Sequence, residues 1–255
     1  MRRDAGGPAR LIGVAVRARS QESAHTTRAL LLRRVEYGDA DLVLTLFTEK
    51  LGRVSALARA ARRSQRRFGG ALEPLHTLEI RLEDRPRNEL SLLREARIAT
   101  ARPGLLVNLE RMRAAGRALG WIRSAAPAHT PEPALWKAVE ALLDELGAKD
   151  AVDSNRALAA TGLSVLVALG WGIDLERCVR CGKPCPPDAS SLIDPARGGL
   201  VCRSCGGARK RLDSKTRERL GRAAASGDPR ELELADAELA LELVEHVLKA
   251  HAGVS

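Results

Sequence analysis

Residues 75–82 read Leu75-His76-Thr77-Leu78-Glu79-Ile80-Arg81-Leu82, with Leu78, Ile80 and Leu82 alternating with Thr77, Glu79 and Arg81. A period of two is the mark of a half-buried strand. Outward from this segment the same pattern recurs in short pieces. Ala29 to Arg33 is one candidate strand, and Leu42 to Thr48 is another after the polar break Tyr37-Gly38-Asp39. Arg53 to Ala60 follows Lys50-Leu51-Gly52, and Leu90 to Arg94 follows the turn-like Asp84-Arg85-Pro86-Arg87-Asn88. Five short strands in residues 27–101 predict a small closed or nearly closed barrel, of which the five-stranded OB-fold is the best-known form.

Beyond Arg102-Pro103-Gly104 the period changes to 3.6. Leu105 to Ser124 reads as a helix. Thr130-Pro131-Glu132 offers an N-cap followed by proline at the first helical position. Leu135, Val139, Leu142, Leu143 and Leu146 then share one helical face, with Gly147 placed to stop it. Asn155 to Leu169 is apolar nearly all round, as a central buried helix is, and Leu239, Leu243, Val244, Val247 and Leu248 share a face in the last segment. The expected class is therefore α+β and multidomain. Residues 1–26 are expected to be a disordered extension, 27–101 the barrel, and 102–255 a helical domain with a cysteine-bearing insert at 175–212.

The chain has 255 residues, of which 45% are hydrophobic, so it can fill a substantial core and is not a disordered chain. Its longest apolar runs, Leu42 to Phe47 and Leu163 to Leu169, fall far short of the ~20 residues of a membrane span. Leu11 to Val16 is too short for a secretory signal and is followed at once by Arg17 and Arg19. A cytoplasmic protein is expected. The formal charge of +10 is uneven: residues 27–100 carry +5 and 175–212 carry +5, while 101–174 are neutral. Clustered basic excess attracts polyanions, nucleic acid foremost.

Cys178-x-x-Cys181 and Cys202-x-x-Cys205 are the strongest motif in the chain. Two intervening residues let both sulfurs of a pair reach one ion from a tight turn, and the second pair completes a tetrahedron. Gly182 and Gly206 follow the pairs directly and permit the sharp turn of a metal knuckle. Leu192-Ile193 and Gly198-Gly199-Leu200-Val201 are expected to form a hairpin, giving a zinc ribbon. Four thiolates leave no open position, so one structural Zn2+ is the expected cofactor. Disulfides, an iron–sulfur cluster and free thiols are the alternatives, and disulfides run against a reducing cytoplasm. Cys185, between Pro184 and Pro186, is expected to be a bystander.

Arg53, Arg59, Arg62, Arg63, Arg66 and Arg67 crowd into fifteen residues with no acid among them. They are expected at the end of the third strand and in the loop beyond it. Guanidinium groups at that density repel one another unless an anion lies across them, and phosphate accepts paired hydrogen bonds from arginine. The alternative is a solvated loop. Aromatic residues are few. Phe47 is expected to face the barrel core, Trp136 and Trp171 to lie in helical core, and only Phe68 and Tyr37 remain as platforms for stacking bases. Binding should therefore be mainly backbone-directed. No Gly-x-x-x-x-Gly-Lys-Ser/Thr loop and no His-x-Glu occur, so neither an ATPase nor a zinc deaminase is expected.

Val35-Glu36-Tyr37-Gly38-Asp39-Ala40-Asp41, Leu44 to Thr48, Gly52-Arg53, and the basic stretch Ala58 to Phe68 with Leu72-Glu73-Pro74-Leu75 resemble the N-terminal barrel of RecO recombination-mediator proteins. Leu169-Gly170-Trp171, Cys178-Val179-Arg180-Cys181-Gly182 and Gly198-Gly199-Leu200-Val201-Cys202 resemble that family's helical domain. The resemblance runs over residues 27–250. It implies an OB-fold followed by a helical bundle with a zinc ribbon, in a bacterial DNA-repair protein without enzymatic activity. It further implies binding of single- and double-stranded DNA and annealing of complementary strands. RecA would be loaded with two partners, RecR and single-stranded-DNA-binding protein, the latter through its acidic tail. Residues 1–26 and Cys185 depart from the family's pattern. Without the resemblance, an RNA-binding or transcription-associated zinc-ribbon protein would suit barrel and ribbon equally well.

Overall fold

The computed structural model describes residues 24–85, 90–208 and 210–253. Residues 1–23 of the expected extension, and 86–88 of the expected turn, lie outside them. The alternating segments become β1 (Ala24–Tyr37), β2 (Asp41–Thr48), β3 (Gly52–Ala58), β4 (Thr77–Glu83) and β5 (Ser91–Thr100), closed into a barrel in the order β1-β2-β3-β5-β4. β3 and β5 pair in parallel and the other neighbours antiparallel. Leu78, Ile80 and Leu82 face the barrel interior with Leu31, Leu44, Leu46, Val54, Ala56 and Leu93, while Arg81 is exposed. Closure gives every strand two neighbours, although β1 beyond Leu30 is paired only with β2.

β1 is longer than its apolar stretch predicts. Ala24 to Leu30 pair with β4, so Ala24-His25-Thr26 belong to the barrel and not to an extension. Its far half, Ala29 to Tyr37, pairs with β2 across a register shift between Leu31 and Arg33. Residues 33–39 are exposed; the strand there outruns the core, and a polar sequence carries no burial signal.

Arg102 leads into α2 (Pro103–Leu106), after α1 (Gln65–Phe68) in the barrel, and then α3 (Leu109–Ala125), α4 (Pro133–Gly147), α5 (Ser154–Ala168), α6 (Ser214–Ser226) and α7 (Leu234–Ala252). α5 is the central helix, touching α3, α4, α6 and α7. Asn108 and Asp153 cap α3 and α5, the amide oxygen of one and a carboxylate oxygen of the other each accepting two backbone N–H bonds. The expected start of α4 is two residues too early: Pro133, not Pro131, takes the first turn, and Glu132 is the N-cap. Thr130 is instead pressed against the barrel, its hydroxyl turned back to the Ala128 carbonyl.

Phe47 also departs from expectation. It points out of the barrel onto Trp136 of α4, ring centroids 5.8 Å apart. Around that contact lies a polar junction. Arg102, 4% exposed, donates to Asp144 Oδ1 at 2.7 Å and to Thr77 Oγ1 at 2.8 Å. Thr77 donates to Glu140 Oε1 at 2.5 Å, and Arg28 pairs with the Glu140 carboxylate at 2.6 Å. Apolar burial and satisfied charges together seat the barrel on α4.

The insert forms a second sheet of β6 (Asp174–Cys178), β7 (Ser191–Asp194), β8 (Gly199–Val201) and β9 (Lys210–Leu212), ordered β6-β8-β7-β9. β7 and β8 are the expected antiparallel hairpin. Trp171 lies in the loop after α5, half-buried, stacked on His251 at 5.0 Å, and not within a helix as expected.

Candidate metal centre and nucleic-acid interface

Each Cys-x-x-Cys closes a tight turn. Gly182 N donates to the Cys178 carbonyl at 2.8 Å, and Gly206 N to the Cys202 carbonyl at 3.1 Å. Both glycines have positive φ, +72° and +57°, which a residue with a β-carbon rarely adopts. The sulfurs of Cys178, Cys181, Cys202 and Cys205 all lie within 4.8 Å of one another. Cys181 Sγ and Cys202 Sγ are 3.7 Å apart. A tetrahedron with Zn–S of about 2.3 Å has edges of about 3.8 Å, so the donor set fits a four-coordinate thiophilic ion.

The electrostatics agree. The Ser204 hydroxyl and the Cys205 backbone N–H favour the Cys202 thiolate and bring it down to about 6. Cys205 is pushed up to about 12, because its proton bridges to Cys202 and Cys181. Four sulfurs this close cannot all ionise by themselves, and a divalent cation removes that opposition. Cys185 stands apart. Its thiol is buried and raised by that burial, and its backbone bonds to Glu176 and Arg217. Arg180, part of the basic ribbon segment, straps the two knuckles together, donating to the Gly206 carbonyl at 2.8 Å.

The six arginines of the basic stretch do not form one set. Arg53 sits at the start of β3, not its end, and serves the domain junction: its Nε donates to the Ala126 carbonyl at 2.8 Å. Six residues of extended chain, about 20 Å, separate it from Arg59. Arg67 is half-buried, braced by Ser64 and the Arg59 carbonyl and laid over Phe68. Arg62 is exposed but pairs with Glu36 at 3.1 Å. Arg59, Arg63 and Arg66 are exposed and have no ion pair among the described residues. The loop that carries them is tied to the β1–β2 turn by Ala60 N donating to Asp41 Oδ1 at 2.7 Å and Arg62 N to the Ala40 carbonyl at 3.1 Å.

Phe68 is 2% exposed and closes the barrel, so it is no stacking platform; Tyr37, 60% exposed, remains one. Arg33 is a further exposed cation without an ion pair among the described residues. The double arginine Arg33-Arg34, breaking the strand's alternation, was the available signal for it. Among the described residues no helix is long and apolar enough to cross a membrane.

The family model described as Recombination protein O N terminal matches residues 23–102, and the one described as Recombination protein O C terminal matches residues 107–255. The chain belongs to the RecO family. A DNA repair protein RecO from Anaeromyxobacter sp. (strain Fw109-5) is 38% identical over 177 residues, 69% of this chain and 68% of that protein. That of Pelobacter propionicus is 38% identical over 180 residues, 71% of each. That of Geobacter metallireducens is 33% identical over 201 residues, 79% of this chain and 80% of that protein. The first matched RecO stretch covers the barrel, and the second covers the helices and the four-cysteine ribbon.

Proposed function

We propose that this RecO-family chain is a recombination mediator in bacterial DNA repair. It binds single- and double-stranded DNA at the barrel end that carries Arg59, Arg62, Arg63, Arg66 and Arg67. There it anneals complementary strands and helps load the RecA recombinase onto single strands coated by single-stranded-DNA-binding protein. The supporting observation is that Arg59, Arg63 and Arg66 are exposed without an acidic partner among the described residues. Phosphates laid across them release counterions, which drives binding that is independent of base sequence. Two strands drawn onto one cationic surface repel each other less, and base pairing supplies the free energy of annealing with no bond made or broken by the protein.

RecR and the acidic tail of single-stranded-DNA-binding protein are the partners in this proposal, and the bacterial cytoplasm, at the nucleoid, is where it acts. The metal is one structural Zn2+ held by Cys178, Cys181, Cys202 and Cys205, in line with a four-sulfur set that keeps no open position.

Charge reversal of Arg59, Arg63 and Arg66 to Glu tests the proposal. The variant should keep its circular dichroism and thermal transition while losing strand annealing and most DNA affinity at physiological salt. Annealing at the wild-type rate would overturn it. Structured RNA competing as well as DNA of equal length would instead favour an RNA-binding role.

A further inference from the structure

The outer face of β1–β3 is divided. Near Phe47 and Arg53 it is covered by α4 and the segment before it. Toward the β1–β2 turn the β1 residues of that face are exposed, Asp41 and Val43 of β2 beside them are half-buried, and Leu57 of β3 is buried. Cross-strand register sets Arg33 opposite Thr45, Val35 opposite Val43, and Tyr37 opposite Asp41. Residues paired in register share a face, and alternate residues on one strand return to it every ~6.8 Å. Arg33, Val35 and Tyr37 therefore form one column, with Arg34 and Glu36 turned the other way. Val35 is 41% exposed and Tyr37 60%.

An exposed ring and an exposed Val35 beside Arg33, which has no ion pair among the described residues, suit a ligand with both flat apolar faces and an anionic chain. We infer that the exposed β1 column of this face is a base-contacting strip for one DNA strand, with the Tyr37 ring as its stacking platform, and that it makes the protein prefer single strands to duplex. The inference rests on the DNA-binding role proposed above. The cations of the phosphate path are at hand: Arg33 in the column itself, and Arg59, Arg63 and Arg66 on the loop bonded to the turn that follows Tyr37. Asp39 is exposed at the turn tip, while Asp41 is held by Ala60 N and Glu36 by Arg62. Bases in a duplex stack on each other and offer no free face to a side chain. Each base of a single strand offers one, whatever its identity.

The test compares Tyr37→Ala, Tyr37→Phe and the Arg59/Arg63/Arg66→Glu variant of the full chain, binding labelled oligothymidine and a duplex of equal length at several salt concentrations. Tyr37→Ala should weaken single-strand binding by about 5- to 150-fold, the loss of one base–aromatic stack, and leave duplex binding within about twofold. Its salt slope should match wild type, because no phosphate contact is removed. Tyr37→Phe should restore single-strand affinity. Unchanged single-strand affinity in Tyr37→Ala, or an equal loss for single strand and duplex, overturns the strip and leaves the arginine surface standing. Wild-type binding of both ligands by the arginine variant overturns the DNA-binding role itself.

Discussion

A β-carbon placed on Gly52 would stand 2.0 Å from the carbonyl oxygen of Thr130. The β2–β3 turn thus meets the segment before α4 backbone to backbone. Gly52 also has φ of +67°. Next to it, Arg53 donates its amide to the Pro127 carbonyl at 3.4 Å and accepts from His129 N at 3.0 Å. Gly52-Arg53 is therefore a docking element between barrel and helices.

Gly52→Ala should destabilise the protein by about 2–5 kcal/mol, through left-handed strain and a backbone overlap that cannot relax into a side-chain shift. Thermal denaturation measures it. A melting temperature equal to wild type would show that the two segments separate readily.

Arg53→Gln and Arg63→Gln should behave oppositely. The first loses a side-chain bond to the junction and should lower stability, by about 1–3 kcal/mol for a charged donor, while its DNA salt slope stays as in wild type. The second should leave stability unchanged and reduce the slope of log K against log salt by about 0.7 on single strands, one phosphate contact. Salt titrations of the two variants side by side decide the matter.

Metal content should follow the cysteines individually. Cys181→Ser should lower bound zinc well below one per chain and lower the melting temperature, since an ion held by the four sulfurs would tie β6 to the turn after β8. Cys185→Ser should retain its metal. Elemental analysis with thermal denaturation reads both effects, and full zinc in Cys181→Ser would refute the four-sulfur site.

Asp236 is 3% exposed and accepts two bonds from Arg219, at 2.6 and 3.0 Å. Burial pushes its carboxyl up, but Arg219 and the Glu233 amide outweigh that and hold it below the usual range. A depressed folded-state value contributes stability above the unfolded carboxylate range near pH 4, and that stability is lost as pH falls through the folded value. Asp213, held down by the Thr216 amide and hydroxyl, adds to the same acid limb. Asp236→Ala should cost about 3–5 kcal/mol at neutral pH and flatten the loss of stability below pH 4. Denaturant melts across that pH range test it.

The barrel strands were legible because Leu78, Ile80 and Leu82 alternate with polar residues, and burial on one face of a strand writes that period directly into the chain. The four-cysteine cluster was legible for a similar reason: two sulfurs of one turn are local in sequence. The places of Phe47 and Thr130 are not legible in the sequence because each is explained only by a distant partner, Trp136 for one and Gly52 for the other. The first half of β1 was hidden because Ala24-His25-Thr26 owe their pairing to β4 and not to their own composition.

The arginines divide the two kinds of knowledge most sharply. Composition and spacing by themselves determined that a barrel, a helical bundle and a four-cysteine ribbon are joined in one basic chain, since periodicity and ligand spacing are short-range properties. Only the tertiary structure decided which guanidiniums are spent on internal carbonyls and carboxylates and which are left for an external anion. Hydrogen bonds and ion pairs form within a few ångströms, and the groups that Arg53 and Arg102 reach, Ala126 and Asp144, lie tens of residues away along the chain.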